Sequence, residues 1–84
     1  MASPEAPMSS KAMISAALVK AQTAVQLDRA EYHSGARKYY VEAVELLDRV
    51  IARNCSERDL RKLKDIQQRY RRRIDQLDMP SAEA

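Results

Sequence analysis

Few residues in this chain have side chains that could carry out catalysis or hold a metal ion. The 84 residues include one His, one Cys and one Gly. His33 has no metal-ligating residue at helical spacing from it, and Cys55 has no nearby His to act as a base. Paired carboxylates for acid–base work and a glycine-rich phosphate loop are also missing from the sequence. The sequence therefore predicts a chain that is not an enzyme by itself and that holds no cofactor and no metal.

Positive charge is concentrated near the end of the chain, where Arg69–Arg73 contains four arginines. The segment from Glu57 to Asp78 holds eight Lys or Arg against five acidic residues, so it carries the whole net charge of +3. Consecutive residues of a helix point in different directions, so the four arginines do not form one stripe. Tyr70 falls on the apolar side, away from any base it could stack on. These features argue against nucleic acid as a partner.

Three apolar stripes, spaced by three and four residues, predict the elements that must position these charges. Alanine on the first two stripes allows helices to approach toward the short end of the roughly 8–10 Å range of interaxial distances. Packing the stripes on one another predicts an all-α fold, an antiparallel up-down-up three-helix bundle. The stripes are Ile14, Ala17, Leu18, Ala21, Ala24 and Val25; Ala36, Tyr40, Ala43, Val44, Leu47 and Ile51; and Leu60, Leu63, Ile66, Tyr70, Ile74 and Leu77.

The predicted domain covers residues 9–78, between a disordered lead-in at 1–8 and a linker stub at 79–84. The first helix is expected to begin at an N-cap near Ser9 or Ser10 and to run to about Asp28. A connection then leads to the second helix, for which Ser34 is the candidate N-cap.

The second helix is expected to continue to about Arg53. Ser56, followed three residues later by Asp59, resembles a capping box at the start of the third helix. That helix is expected to end near Asp78, because Pro80 does not continue a helix easily.

Length and cysteine content describe the setting in which the chain works. Eighty-four residues make one domain with a modest core, and a single cysteine suits a reducing compartment. The sequence has neither a membrane-spanning run of roughly 20 apolar residues nor a signal peptide. We therefore expect a cytoplasmic protein that is monomeric as an isolated domain. A start at Met1 suggests an N-terminal module of a longer protein.

The pattern of small, aliphatic and aromatic residues resembles that of the MIT domain, the microtubule-interacting and trafficking module. The resemblance implies a three-helix receptor for the C-terminal motifs of ESCRT-III subunits, recruited to endosomal or other remodelling membranes. It is carried by Ala17-Leu18, Ala21, Ala24-Val25, Asp28, Ala36, Tyr40, Ala43-Val44, Leu47, Tyr70, Arg73 and Leu77.

Two positions depart from the family pattern. The turn before the second helix usually carries a Tyr where this chain has His33, with Tyr32 one residue earlier. The third helix often has a Leu directly after its Tyr, and here that residue is Arg71. The second departure lies on the expected docking surface and puts the usual ligand preference in doubt.

The resemblance implies docking in a groove beside the third helix, which we assign to the side facing the second helix. An added amphipathic helix there would complete a four-helix arrangement. The plainer interpretation of the same residues is a solvated charged face. The predicted groove residues are Lys38, Val41, Glu45, Asp48, Lys64, Gln67, Gln68, Arg71 and Asp75.

Three alternatives remain open from the sequence. The ligand could use the groove between the first and third helices instead. The basic third helix could serve as a tether to microtubules or to an acidic membrane. The chain could also be a plain helical assembly module, although a repeat array would show internal self-similarity that this sequence lacks.

Overall fold

A computed structural model of the chain describes residues 9–53 and 56–78, which form the predicted three-helix bundle. Helix α1 spans Ser10–Arg29, α2 spans His33–Ile51 and α3 spans Glu57–Asp78. Helix α2 packs against both other helices far more extensively than α1 and α3 pack against each other. The predicted lead-in and linker stub, and Cys55, lie outside the described residues.

Serine hydroxyls cap α1 and α3 at their N-termini, as the sequence predicts. The Ser9 Oγ accepts a hydrogen bond from the backbone N–H of Ala12 at 3.0 Å. The Ser56 Oγ accepts one from the backbone N–H of Asp59 at 3.2 Å. Each cap satisfies one of the backbone donors that a helix N-terminus leaves without an intrahelical partner.

The turn between α1 and α2 is tighter than the sequence suggests, and the prediction of Ser34 as its N-cap is wrong. Helix α2 already begins at His33, after Tyr32, and no side chain caps it. The N–H of Tyr32 donates to the Leu27 carbonyl at 2.8 Å, and that of Glu31 donates to the backbone carbonyl of Asp28 at 3.0 Å. These two bonds form a Schellman motif, with Glu31 in the left-handed region at φ 67°. The motif reverses the chain within three residues, so the connection ends before Ser34.

The core consists largely of the predicted stripes. Ala17, Ala24, Ala36 and Ala43 are fully buried where α1 and α2 meet, and Leu47 fills the space beside them. Alanine at these positions allows the close approach of the two helix backbones.

Three residues at the ends and edges of the stripes, and the end of α2, depart from the prediction. Met13 and Val50 are buried although neither belongs to a predicted stripe, and α2 ends at Ile51 rather than at Arg53. Leu18 was predicted to be a core residue, yet 41% of its surface is exposed. The alanines of α1 (Ala17, Ala21 and Ala24, the alanine column) face α2. Leu18 lies beside this row on the surface of α1, so its side chain is not covered by α2.

Candidate functional site: two surfaces along the third helix

An open depression of about 530 Å³ lies along α3. It brings together all five groove residues that the sequence predicts on this helix, and it adds Arg72, which sequence reasoning missed. Steps of three and four residues place these side chains on one side of the helix. The lining residues are Lys64, Gln67, Gln68, Arg71, Arg72 and Asp75.

Gln67 forms the floor of this depression and joins α3 to α2. Its side chain is buried, and its Nε2 donates to the Val44 carbonyl at 3.2 Å and to Asp48 Oδ1 at 2.6 Å. A buried amide needs such partners, because leaving a polar group without them costs about 1–3 kcal/mol. Gln67 therefore fixes the spacing of the two helices beneath the depression.

Arg71 and Asp48 face each other across the edge of the depression. Their closest side-chain atoms, Arg71 NH2 and Asp48 Oδ1, are 3.4 Å apart, and both side chains are more than half exposed. An exposed ion pair of this kind contributes about 0.2–1 kcal/mol. The guanidinium of Arg71 can therefore exchange Asp48 for another carboxylate at little cost.

Like Asp48, the other three residues predicted on α2 do not line the described depression. Lys38 and Glu45 are exposed and Val41 is half-buried, and none of them contributes to the described lining. Asp48 is thus the member of the predicted α2 set that hydrogen bonds connect to α3.

A second concave surface, the α1/α3 groove, follows the opposite side of α3. It has a volume of about 390 Å³ and is lined by Leu18, Ala21, Gln22, Val25, Gln26, Arg29 and Tyr70. A smaller hollow of about 260 Å³ lies nearer the start of α3, between Ile14 and Ile66. Apolar and polar side chains thus line together the gap that α1 and α3 leave between them.

Sequence reasoning assigned Leu18, Val25 and Tyr70 to the core rather than to this groove. A signal for the groove does exist in α1, where Ile14, Leu18 and Val25 form a second apolar column beside the alanines. The buried residues of α1 are the alanine column and Met13, whereas Ile14 and Val25 pack against the core while remaining partly exposed. The wider apolar face indicates that α1 offers surface to a further neighbour.

Metal-ligating side chains are not clustered in the part of the chain that the structure describes. Within residues 9–53 and 56–78, no group of three His, Cys, Asp or Glu side chains could hold a metal ion. His33 is exposed at the start of α2, with its Nε2 4.0 Å from Asp28. Among the described residues, no helix is long and apolar enough to cross a membrane.

Comparison with known proteins gives one informative result. The sequence model of the MIT (microtubule interacting and transport) domain family matches residues 14–79. This range includes almost all of the three-helix bundle. No curated protein and no solved structure gives a significant match to the chain.

Proposed function

We propose that this chain, which belongs to the MIT domain family, recruits its parent protein to ESCRT-III subunits by docking their C-terminal motifs beside α3. As an MIT domain it is a protein-interaction module. The observation that carries the proposal is the α3 depression, in which Arg71 and Asp75 offer opposite charges one helical turn apart. Recruitment of this kind places the domain in the cytoplasm, at membranes where endosomal sorting takes place.

The chemistry of the depression selects a charged amphipathic helix as ligand. A helix laid between α2 and α3 would add a fourth member to the bundle. Arg71 attracts an acidic ligand residue and Asp75 attracts a basic one, while the buried Gln67 holds the floor in place. The long stem of Arg71 also provides apolar contact beneath its charged head.

The α1/α3 groove is a second candidate docking surface. Leu18 is 41% exposed there, and Tyr70 lines the same groove. An apolar ligand segment would bury the Leu18 side chain, which would favour binding by about 25 cal/mol for each Å² of apolar surface buried. This groove would suit a ligand with aliphatic rather than charged anchors.

Ordering a disordered tail costs free energy, so we expect affinities in the micromolar range or weaker for one motif. Binding of many domains along one polymer would compensate for this weak affinity through avidity. The parent protein would therefore bind an assembled ESCRT-III polymer more strongly than a single subunit.

The decisive experiment is amide chemical-shift mapping of the domain with a panel of ESCRT-III C-terminal peptides. Shift changes centred on Gln68, Arg71 and Asp75 support docking in the α3 depression. Changes centred on Leu18 and Val25 support the α1/α3 groove instead.

Two matched variants complete this experiment. Arg71→Asp should weaken only a ligand of the α3 depression, and Leu18→Asp only a ligand of the α1/α3 groove. Both positions are exposed, so both variants should remain folded. If no peptide of the panel binds at millimolar concentration, the proposed recruitment to ESCRT-III is wrong.

A further inference from the structure

We propose that the outward face of α3 is an electrostatic docking surface for an anionic lipid bilayer, distinct from the α3 depression proposed for peptides, with which it shares Arg72. This surface, the outer α3 face, points away from the bundle core, and every side chain on it is exposed. Steps of three and four residues along α3 place its members in one row. They are Arg58, Arg61, Lys62, Asp65, Arg69, Arg72 and Gln76.

Some basic residues of α3 form ion pairs in the structure, and others, called available here, do not. Arg73 pairs with Asp28, Arg71 pairs with Asp48, and Arg69 pairs with Asp65 on its own helix. Within the ranges that the structure describes, the remaining cations of the outer α3 face make no ion pair. These available cations are Arg58, Arg61, Lys62 and Arg72.

Cations outnumber carboxylates on the outer α3 face. Its five cations and one carboxylate, Asp65, sum to +4, and the exposed Glu57, which lines the same surface as Arg58 and Arg61, lowers the local charge to +3. With a rise of 1.5 Å per residue, the row from Arg58 to Arg72 is about 21 Å long. Four cations without an ion pair in so short a row attract a polyanion, and the attraction depends on salt.

The shape and composition of the row favour a bilayer among polyanions. The row follows one helix, so all its cations can approach one plane, which is the geometry of a lipid headgroup layer. The outer α3 face has no aromatic side chain on which a nucleic-acid base could stack. It also has no apolar side chain, so the helix would rest on the headgroups without inserting. Each Lys or Arg near an anionic membrane then contributes about a fivefold gain in affinity.

Vesicle co-flotation of the full 84-residue chain tests this inference. The vesicles are phosphatidylcholine with or without 30% phosphatidylserine, a proportion that we choose to mimic an anionic leaflet (about −30 mV). We expect binding only to the anionic vesicles, with a steep loss of binding as salt rises from 50 to about 300 mM. Equal binding to neutral vesicles, or no binding to anionic ones at low salt, overturns the proposal.

A charge-matched pair of variants separates the outer α3 face from net charge. Arg58→Gln with Arg61→Gln removes two cations of the row and should weaken vesicle binding about 25-fold. Lys11→Gln with Arg49→Gln removes two exposed cations from α1 and α2 and should change it much less. Equal losses in both variants overturn the proposal.

Two soluble polyanions distinguish a bilayer from the other classes of partner. Oligoglutamate represents acidic protein tails such as those of tubulin, and a short RNA represents nucleic acid. If either binds the outer α3 face at a salt concentration that abolishes vesicle binding, the bilayer is not the partner. Peptide docking is measured separately, and Arg58→Gln with Arg61→Gln should leave it intact, so the two proposals can fail independently.

Discussion

Asp28 and Arg73 form a bidentate ion pair that joins the end of α1 to the last turns of α3. Arg73 Nε lies 2.6 Å from Asp28 Oδ2, and its NH2 lies 2.7 Å from Oδ1. The Tyr40 hydroxyl on α2 donates to the same carboxylate at 3.2 Å. All three helices therefore meet at one carboxylate. Since α1 and α3 pack little against each other elsewhere, this pair is a direct polar link between them.

Loss of this ion pair should destabilise the bundle. Hydrogen bonds to charged groups contribute about 1.5–3 kcal/mol, and the Asp28 side chain is only 13% exposed. We expect Arg73→Gln to lower the free energy of unfolding by about 1–3 kcal/mol, measured by urea denaturation. Arg69→Gln is the control, because its exposed pair with Asp65 within α3 contributes only about 0.3–0.5 kcal/mol. Equal effects of the two variants would contradict the role assigned to Asp28.

The same ion pair predicts a dependence of stability on pH. Hydrogen bonds from Arg73 are the main cause that lowers the pKa of Asp28 below its ordinary value of 3.8. A carboxyl whose pKa is lower in the folded state stabilises the fold above its unfolded pKa, and this contribution disappears as the pH falls through the folded pKa.

The measurement compares the wild type with Asp28→Asn by urea denaturation between pH 7 and pH 2. We expect a constant stability difference above about pH 5 that shrinks as the pH falls below the ordinary pKa of Asp. Lys20 similarly lowers the pKa of Glu42, but Glu42 is present in both proteins and its effect cancels. A difference that grows on acidification would show that Asp28 is not held as a carboxylate by Arg73.

The helices and most of the core could be predicted from periodicity alone. Ala17, Ala43 and Leu47 lie on stripes with helical spacing, and burial follows directly from that spacing. The turn could not be predicted in this way. A Schellman motif usually places Gly where this chain has Glu31, so the local sequence gives no sign that the helix ends there.

The candidate site was predictable on α3 and less so on α2. Counting around a single helix places Lys64, Gln68 and Arg71 on one side without any knowledge of its neighbours. Which residues of α2 meet that side depends on the crossing of the two helices, and the sequence does not encode it locally. For that reason Asp48 joins α3 through hydrogen bonds, whereas the exposed Lys38 does not line the described depression.

Glu31 should be a site of stabilising substitution. The left-handed backbone costs a residue with a Cβ about 1–2 kcal/mol, and Gly avoids this cost. Gly also loses more backbone entropy on folding, and this loss cancels about 0.5–1 kcal/mol of that gain in stability. We expect Glu31→Gly to raise the unfolding free energy by about 0.5–1 kcal/mol, whereas Glu31→Ala should leave it nearly unchanged. Thermal denaturation of the three proteins checks this, and a less stable Glu31→Gly would argue against the Schellman turn.

Ala43 should not tolerate a larger side chain. It is fully buried in the same cluster as Ala17 and Leu47, so extra methylene groups would push α2 away from α1. We expect Ala43→Leu to destabilise the domain by about 1–3 kcal/mol in urea denaturation. Ala12→Leu, on the exposed side of α1, should change stability by less than about 0.5 kcal/mol. An unchanged midpoint for Ala43→Leu would mean that the register of α2 is wrong.

Arg71 should determine which ligands the α3 depression accepts. Asp48 already lies 3.4 Å from its guanidinium, so Arg71→Asp would leave two carboxylates and no cation on this edge and repel an acidic ligand residue. We expect Arg71→Asp to weaken an acidic peptide about tenfold or more, a change of about 1.4 kcal/mol in binding free energy. Arg71→Leu should weaken it less, because an apolar contact remains without repulsion.

A charge reversal in the ligand completes the argument about Arg71. If the acidic ligand residue that faces Arg71 is replaced by Lys, the wild type should bind the peptide poorly and Arg71→Asp should bind it better. Calorimetric titration of both proteins with both peptides gives the coupling between the two positions. Recovery of affinity in the doubly reversed pair places the ligand against Arg71. Affinities that do not depend on Arg71 in any of the four combinations would exclude the α3 depression and leave the α1/α3 groove as the docking surface.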